Sequence, residues 1–394
     1  MTRTETEVLV VGGGPAGLAA GAMLRKRGIG ALIVDRAPRV GDSWRKHYDR
    51  LHLHTVRWLS DLPGLPIPRR EGKWVSRDGV VRYLETYADH HSLPIRLRTE
   101  VRRLDRVDGA WSAQTGDGQI LANSVVVATG YNRRPRIPSW PGTESFAGEL
   151  LHSSHYRNPQ PYAGRDVLVV GTGNSGAEIA VDLVEGGARD VAISVRTPPN
   201  ILRRDVGGLP SQVLGVLMRP LPPRLVDVMS RAARRLTVGD LRPYGLPSPP
   251  RGMYTRLKDD DIVPILDVGL IGLLKARRVR VVQAVEGFEG PEVIVGGGKR
   301  LRPDAVIAAT GFERALEELV GHLGVLGRHG RPVAHGAVTH PHAPGLYFIG
   351  YSNPLSGNLR ELGIDARRIA RAVHASRGRA RPDEGRSTYA PGAR

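Results

Sequence analysis

There is no cysteine anywhere in the 394 residues. That excludes disulfides, thiolate metal sites, a nucleophilic thiol and a redox-active Cys pair. No apolar run is long enough to span a bilayer, so no transmembrane helix is expected. Only a short polar leader precedes the apolar run at Val8, with no signal-peptide pattern, and a cytoplasmic protein is expected. Acids are scarce: 39 against 57 Lys and Arg, a net charge of +18. Such an excess can mark nucleic-acid or membrane-surface binding. Here the arginines form no single block and no aromatics interleave with them. No nucleic-acid partner is expected, and part of the charge is assigned to anionic cofactors. No metal site is expected either.

What is present is glycine in two special places. Gly12-Gly13-Gly14-Pro15-Ala16-Gly17 follows the apolar run Val8–Val11, and Gly171-Thr172-Gly173-Asn174-Ser175-Gly176 follows Val167–Val170. Each reads as a strand entering a glycine turn that opens a helix. Glycine is wanted three times in such a turn: for the turn itself, for close approach to a pyrophosphate, and for helix-on-strand packing. The helix N-terminus then offers free N–H groups and a positive dipole end to phosphate. Two such units in one chain imply two bound dinucleotides.

The residues after each turn separate the two nucleotides. The second strand of the first unit, Ala31–Val34, ends in Asp35, followed by Arg36; Asp35 lies 18 residues beyond Gly17. A carboxylate there meets a ribose hydroxyl and repels a 2′-phosphate, which suits FAD. The corresponding strand of the second unit, Val191–Val195, ends in Arg196, with Arg203 and Arg204 as reinforcements. An Arg clamps a 2′-phosphate, which suits NADPH. Two near-copies, Val125–Ala128 into Thr129-Gly130 and Val306–Ala309 into Thr310-Gly311, follow the two units, and Leu346–Ile349 leads into Gly350.

The fold class expected is α/β, with two nested Rossmann-type dinucleotide-binding domains. The first would cover 1–157 and 305–378, the second 158–304 with a helical insertion at about 199–270, and 379–394 would be a disordered tail. A helix is expected over roughly 79–91 and a small meander near 95–121. In the insertion, Leu225, Val228, Met229, Ala232 and Leu236 share one helix face while the arginines lie mostly elsewhere. Such a stripe can lie on a membrane; the commoner outcome, expected here, is packing on its own protein as a roof over the substrate cavity.

Between the two units, Phe146, Gly148, His152 and Tyr156 match every fixed position of the flavin-containing monooxygenase fingerprint, Phe-x-Gly-x-x-x-His-x-x-x-(Tyr/Phe). Asp42-Ser43-Trp44, the run Tyr48–His54, Gly173–Gly176, Tyr244-Gly245-Leu246 and Pro264–Gly269 resemble the YUCCA branch of that family, over about 1–375. The resemblance implies an NADPH-dependent flavoprotein monooxygenase. NADPH reduces FAD, the flavin forms a C4a-(hydro)peroxide with O2, and one oxygen atom enters a small organic substrate. That substrate would be a 2-oxo acid such as indole-3-pyruvate, decarboxylated oxidatively, or a soft nitrogen or sulfur nucleophile. The cofactor-binding residues so implied are Gly12, Gly14, Pro15, Ala16, Gly17, Asp35, Arg36, Trp44, Thr129, Gly130, Gly171, Gly173, Asn174, Ser175, Gly176, Arg196, Thr310, Gly311 and Gly350.

Catalytic side chains are harder to name, because the cofactor carries the hard chemistry. The candidates are Trp44, His54 and Asn358, the last at a helix start that the resemblance puts near the flavin. A packed or hydrogen-bonded role is the commoner one for His52 and His54, a structural role joining the domains is expected of His152, and Arg77 is as readily structural as phosphate-binding. The chain departs from many family members in having no Asn between Gly41 and Arg70. Alternatives are a flavin reductase of the thioredoxin-reductase type, which lacks its Cys pair here, an NADPH oxidase without oxygen insertion, and a non-catalytic dinucleotide sensor.

Overall fold

A computed structural model describes residues 2–218, 220–260, 262–354 and 356–379. The tail expected from 379 lies, from 380 on, outside the described residues.

The first sheet is built around β1 (Thr2–Val11), whose run Val8–Val11 is buried throughout. A strand covered on both faces reads as continuous Val and Leu, as in parallel sheets. β1 pairs in parallel with β2 (Ala31–Val34) and β6 (Gly118–Val127). With β3 (Ile95–Arg96), β4 (Val101–Val107) and β5 (Ala110–Thr115) the order is β3-β2-β1-β6-β5-β4. β4, β5 and β6 form the antiparallel meander. Helix α1 (Pro15–Arg25) opens with proline in its first turn, where a missing N–H costs nothing. Helix α2 (Arg77–His90) starts at Ser76, whose hydroxyl accepts from Gly79 N–H, and buries Val80, Val81, Leu84, Tyr87 and Ala88 as its spacing predicts.

The chain leaves this sheet after Val127 and builds a second, wholly parallel one. Its strands are β7 (Glu149–His152), β8 (Asp166–Val170), β9 (Asp190–Val195), β12 (Arg280–Gln283) and β13 (Ala305–Ala308), in the order β12-β9-β8-β13-β7. Two short strands, β10 (Ile201–Arg203) and β11 (Ile265–Asp267), pair beside it. Helix α3 (Asn174–Glu185) follows β8 as α1 follows β1. The chain then returns: β14 (Leu346–Phe348) pairs with β6, and the final helix of Asn358–Arg379 packs against α1. One sheet is thus interrupted in sequence by the other. The expected breaks at 157 and 305 are corrected by the hydrogen bonding. β7 and β13 pair with each other and β13 with β8, because the fully buried Ala305–Ala308 run completes the second sheet rather than reopening the first.

Within 199–270 lie helices α4 (Ser211–Leu217), α5 (Pro223–Thr237) and α6 (Met253–Asp260), which precede the final helix, α7 (Asn358–Arg379). The expected packing of the α5 stripe is overturned. Leu225, Val228, Met229 and Leu236 are exposed, and the buried positions are Val226, Asp227 and Ser230. Asp227 decides this orientation. Its carboxylate accepts from the N–H groups of Tyr254 and Thr255 and from the Thr255 hydroxyl, at the start of α6. Holding those donors turns the Asp227 side of α5 inward and the apolar stripe out.

Candidate functional site: two glycine cradles

The two glycine turns have the same geometry. Gly12 has φ +115°, and a Cβ on it would stand 2.4 Å from the Ala128 carbonyl oxygen; on Gly17 it would stand 1.8 Å from the Gly12 oxygen. In the second turn Gly171 has φ +112° and would meet Ala309 O at 2.4 Å, and Gly176 would meet Gly171 O at 2.1 Å. These four glycines let helix, strand and neighbouring strand close up. Gly14 and Gly173 are different. Both are extended N-cap residues, and a Cβ on either meets nothing within 4 Å. Neither cap receives a side-chain hydrogen bond. The first-turn N–H groups behind each open face have no partner within the helix, which is the donor set that a diphosphate requires. The residues present therefore fit two dinucleotides.

Around the first cradle, the Asp35 carboxylate accepts from Gly13 N–H at 2.5 Å and Ala37 N–H at 2.8 Å, fixing it at the end of β2. Arg36 stands outside, 3.7 Å from Glu100. Gly350, at φ +85°, passes over α1; its missing Cβ would lie 3.4 Å from the Ala16 Cβ. That brings Tyr351 onto Thr129, hydroxyl to hydroxyl at 2.8 Å. Burial pushes the Tyr351 phenol up to about 12. Gly130 turns beside it at φ +77° with open space at its Cβ position. Trp44 is half-buried against the core of the first sheet, edge-on to His47 at 5.8 Å. Asn358 opens α7, and among the described residues its side chain has no hydrogen-bond partner.

Around the second cradle, Arg196 directly follows β9, exposed, with no ion pair or side-chain hydrogen bond among the described residues. The two expected reinforcements are committed elsewhere. Arg203 donates to the Thr237 carbonyl at 2.7 Å, and Arg204 lies over the Trp74 ring at 4.5 Å. The Asn174 side chain is also spent: it donates to Pro264 O at 3.2 Å and accepts from Leu266 N–H at 2.8 Å, clamping β11. What Asn174 can offer a phosphate is its backbone N–H. The Thr310 hydroxyl donates to the Arg136 carbonyl, and Gly311 turns at φ +83° with open space beyond it.

The fingerprint residues hold the second sheet. Phe146 packs against Phe288, rings tilted at 59° with centroids 5.2 Å apart, and His152 Nε2 bonds the Gly311 carbonyl at 2.9 Å. His152 thus ties the end of β7 to the loop after β13, within the second sheet rather than between domains. Burial lowers its pKa. Tyr156 is buried and donates to Asp182 at 2.7 Å.

The residues that join the two cradles include two acids that sequence reasoning did not single out. Glu178 and Asp182 lie one turn apart on α3, both buried. Glu178 binds His54 Nε2. Tyr48 is buried beside Glu178 and Ser175, and burial raises its pKa well above its usual value. Asp182 accepts from Tyr156 and, at 3.4 Å, from Arg50, which also reaches Glu185 at 2.8 Å. Burial raises the Asp182 pKa. Arg77 donates to the His47 carbonyl at 3.0 Å and to Asp49 at 2.5 Å, so its role is to hold this same loop. Gln212 of α4 is a further bridge: its amide accepts from Val56 N–H at 2.8 Å and donates to Ser356 O at 2.8 Å. The available signal was an acid set among Ala, Ile and Val on an apolar helix, which demands a buried partner.

Similarity to known proteins bears on this site. Residues 9–205 match the pyridine nucleotide-disulphide oxidoreductase family. Indole-3-pyruvate monooxygenase YUCCA1 of Oryza sativa subsp. japonica is 34% identical over 381 residues, covering 94% of this chain and 93% of that protein. The chain belongs to the YUCCA family of monooxygenases. A second relative, the probable indole-3-pyruvate monooxygenase YUCCA4 of Arabidopsis thaliana, is 32% identical over 93% of this chain and 89% of its own. Among solved structures, a flavin-containing monooxygenase from Stenotrophomonas maltophilia superposes with a TM-score of 0.72 at 28% identity, over 95% of this chain and 99% of that one. A cyclohexanone monooxygenase bound to epsilon-caprolactone shares the fold, with a TM-score of 0.74 at 19% identity over 96% of this chain and 89% of that one. The chain is an NADPH-dependent flavoprotein monooxygenase that uses FAD.

Proposed function

We propose that this monooxygenase acts on a 2-oxo acid of the indole-3-pyruvate kind. The balanced reaction converts the 2-oxo acid, O2, NADPH and a proton to the shortened acid, CO2, NADP+ and water. The observation that carries the substrate class is identity of 34% along almost the whole length of a relative named for that reaction.

The chain's own residues then take these parts. The open faces at Gly14 and Gly173 admit the two diphosphates to the N-termini of α1 and α3. Asp35 takes the ribose of FAD, and Arg196 takes the 2′-phosphate of NADPH. Bound flavin supplies reaction with O2, a step that needs exclusion of bulk water. The loop carrying Tyr48 and His54 supplies part of that exclusion: fastened through His54 to Glu178, it is held on the helix of the second cradle. His54, engaged by Glu178, is assigned to holding this loop rather than to proton transfer.

The test is anaerobic reduction of the flavoprotein by NADPH, then oxygen with indole-3-pyruvate and phenylpyruvate, products being identified by mass and peroxide counted per NADPH. Formation of indole-3-acetate with little peroxide is expected. Full conversion of NADPH to peroxide with every substrate would leave only an oxidase.

A further inference from the structure

The apolar stripe of α5 faces solvent, and the charges beside it say what covers it. At 100° per residue, Leu225, Val228, Met229, Ala232 and Leu236 fall within an arc of about 100°, and Arg224, Arg231 and Arg235 form a row along one flank of it. The exposures are large: 46% for Leu225, 59% for Val228 and 88% for Leu236. Leu217, just upstream in α4, is exposed as well.

Behind this row, on the inward side of α5 that carries Asp227 and Ser230, lies a cavity of about 520 Å³, lined in part by Arg231, Arg234, Arg235, Arg242 and Arg251. Its acids are already engaged. Asp227 caps α6, and Asp240 holds Arg242 at 2.8 Å. Arg231, Arg234 and Arg235 have no side-chain partner among the described residues, and Arg234 Nε is buried without one.

We propose that α5 is a peripheral docking helix for an anionic phospholipid surface. Its apolar stripe enters the headgroup–acyl boundary, and the flanking row of Arg224, Arg231 and Arg235 meets lipid phosphates. Among the described residues no helix is long and apolar enough to cross a membrane, so the contact lies in the interface plane. A second copy of the chain is the poorer occupant. In an antiparallel pair of α5 helices the arginine row meets its own copy, and in either orientation α5 exposes no acid to answer it, since Asp227 is buried.

The experiment is co-sedimentation of the intact holoenzyme with phosphatidylcholine vesicles, with and without about one third phosphatidylglycerol. Binding is expected only to the anionic vesicles and should weaken with salt. Leu236→Glu and Val228→Glu should abolish it while leaving flavin content and NADPH oxidation in solution unchanged. Arg231→Ala with Arg235→Ala should weaken it by roughly fivefold per arginine. No binding to anionic vesicles would overturn the proposal, as would binding that survives the glutamate variants. Concentration-dependent dimerisation removed by Leu236→Glu, without vesicle binding, would assign the face to a second copy instead.

Discussion

Gly14→Ala separates folding from cofactor binding, because the structure gives that position no neighbour. Gly14 is an extended N-cap residue, and its added methyl would meet nothing within 4 Å. The fold should therefore tolerate it. A lower unfolded-state entropy favours alanine by about 0.4–1 kcal/mol, and the poorer capping of alanine takes back a similar amount. The apoprotein's stability should thus move by no more than about 1 kcal/mol. The methyl occupies the space that the FAD diphosphate needs in order to reach the α1 N–H groups. Hydrogen bonds to a charged group contribute roughly 1.5–3 kcal/mol each. Losing two weakens FAD by about 3–6 kcal/mol, some two to four orders of magnitude in Kd. Gly17→Ala is the control. Its methyl would stand 1.8 Å from the Gly12 carbonyl oxygen, so α1 must move off β1. Overpacking of this kind costs about 1–3 kcal/mol or more. The assay pairs flavin absorbance per chain with urea unfolding of the apoprotein. Gly14→Ala should be colourless and stable, Gly17→Ala colourless and destabilised. Stoichiometric flavin retained by Gly14→Ala would refute the reasoning, since the open face would then not be where the cofactor enters.

Arg196→Ala should raise KM for NADPH about tenfold or more and leave NADH unchanged, the loss of one charge-assisted contact; equal effects on both would remove the 2′-phosphate from Arg196. Tyr156→Phe leaves the buried Asp182 carboxylate short of its 2.7 Å donor and should lower stability by roughly 1–3 kcal/mol in urea unfolding; an unchanged midpoint would show that Arg50 alone satisfies Asp182. His47, His91, His152 and His335 all have pKa values lowered from 6.5, in each case chiefly by burial. The unfolded chain binds those protons more readily, so this stability is fully present above about pH 6.5 and drains away as pH falls below it. Melting temperature measured from pH 8 to 5 should drop on the acid side, and His152→Asn should lessen the drop.

The cradles were legible because everything they need is local. Three glycines, a preceding apolar strand and a following helix all sit within about fifteen residues, and the structure places Asp35 and Arg196 at the strand ends that spacing assigned to them. Sheet membership was legible only in part. The buried run Ala305–Ala308 looks the same whether it completes one sheet or opens the other, and its partners lie more than 130 residues away. The α5 stripe failed for a related reason. Periodicity finds an apolar face but not its direction, and here direction is set by Asp227, whose hydrogen-bonding partners come 27 and 28 residues later. Asn174 is subtler: it occupies the expected place in the turn, yet its side chain is consumed by β11.

The hydrogen bonds between the units also explain how two nucleotide sites in separate sheets keep a fixed relation. Helix α3 presents its N-terminus to the second cradle and, one and two turns on, its buried acids to the first unit. Glu178 takes His54; Asp182 takes Arg50. A buried carboxylate without donors is costly, so these acids strongly favour the one docking arrangement that supplies them. Tyr48 is buried beside Ser175 as well, a residue of the second glycine turn itself. The loop that follows Trp44 is therefore held, through His54 and Glu178, on the same helix whose N-terminus would receive the nicotinamide nucleotide. Hydride transfer needs its partners aligned to within a fraction of an ångström, and this polar seam supplies a rigid reference where apolar packing between the sheets would tolerate sliding.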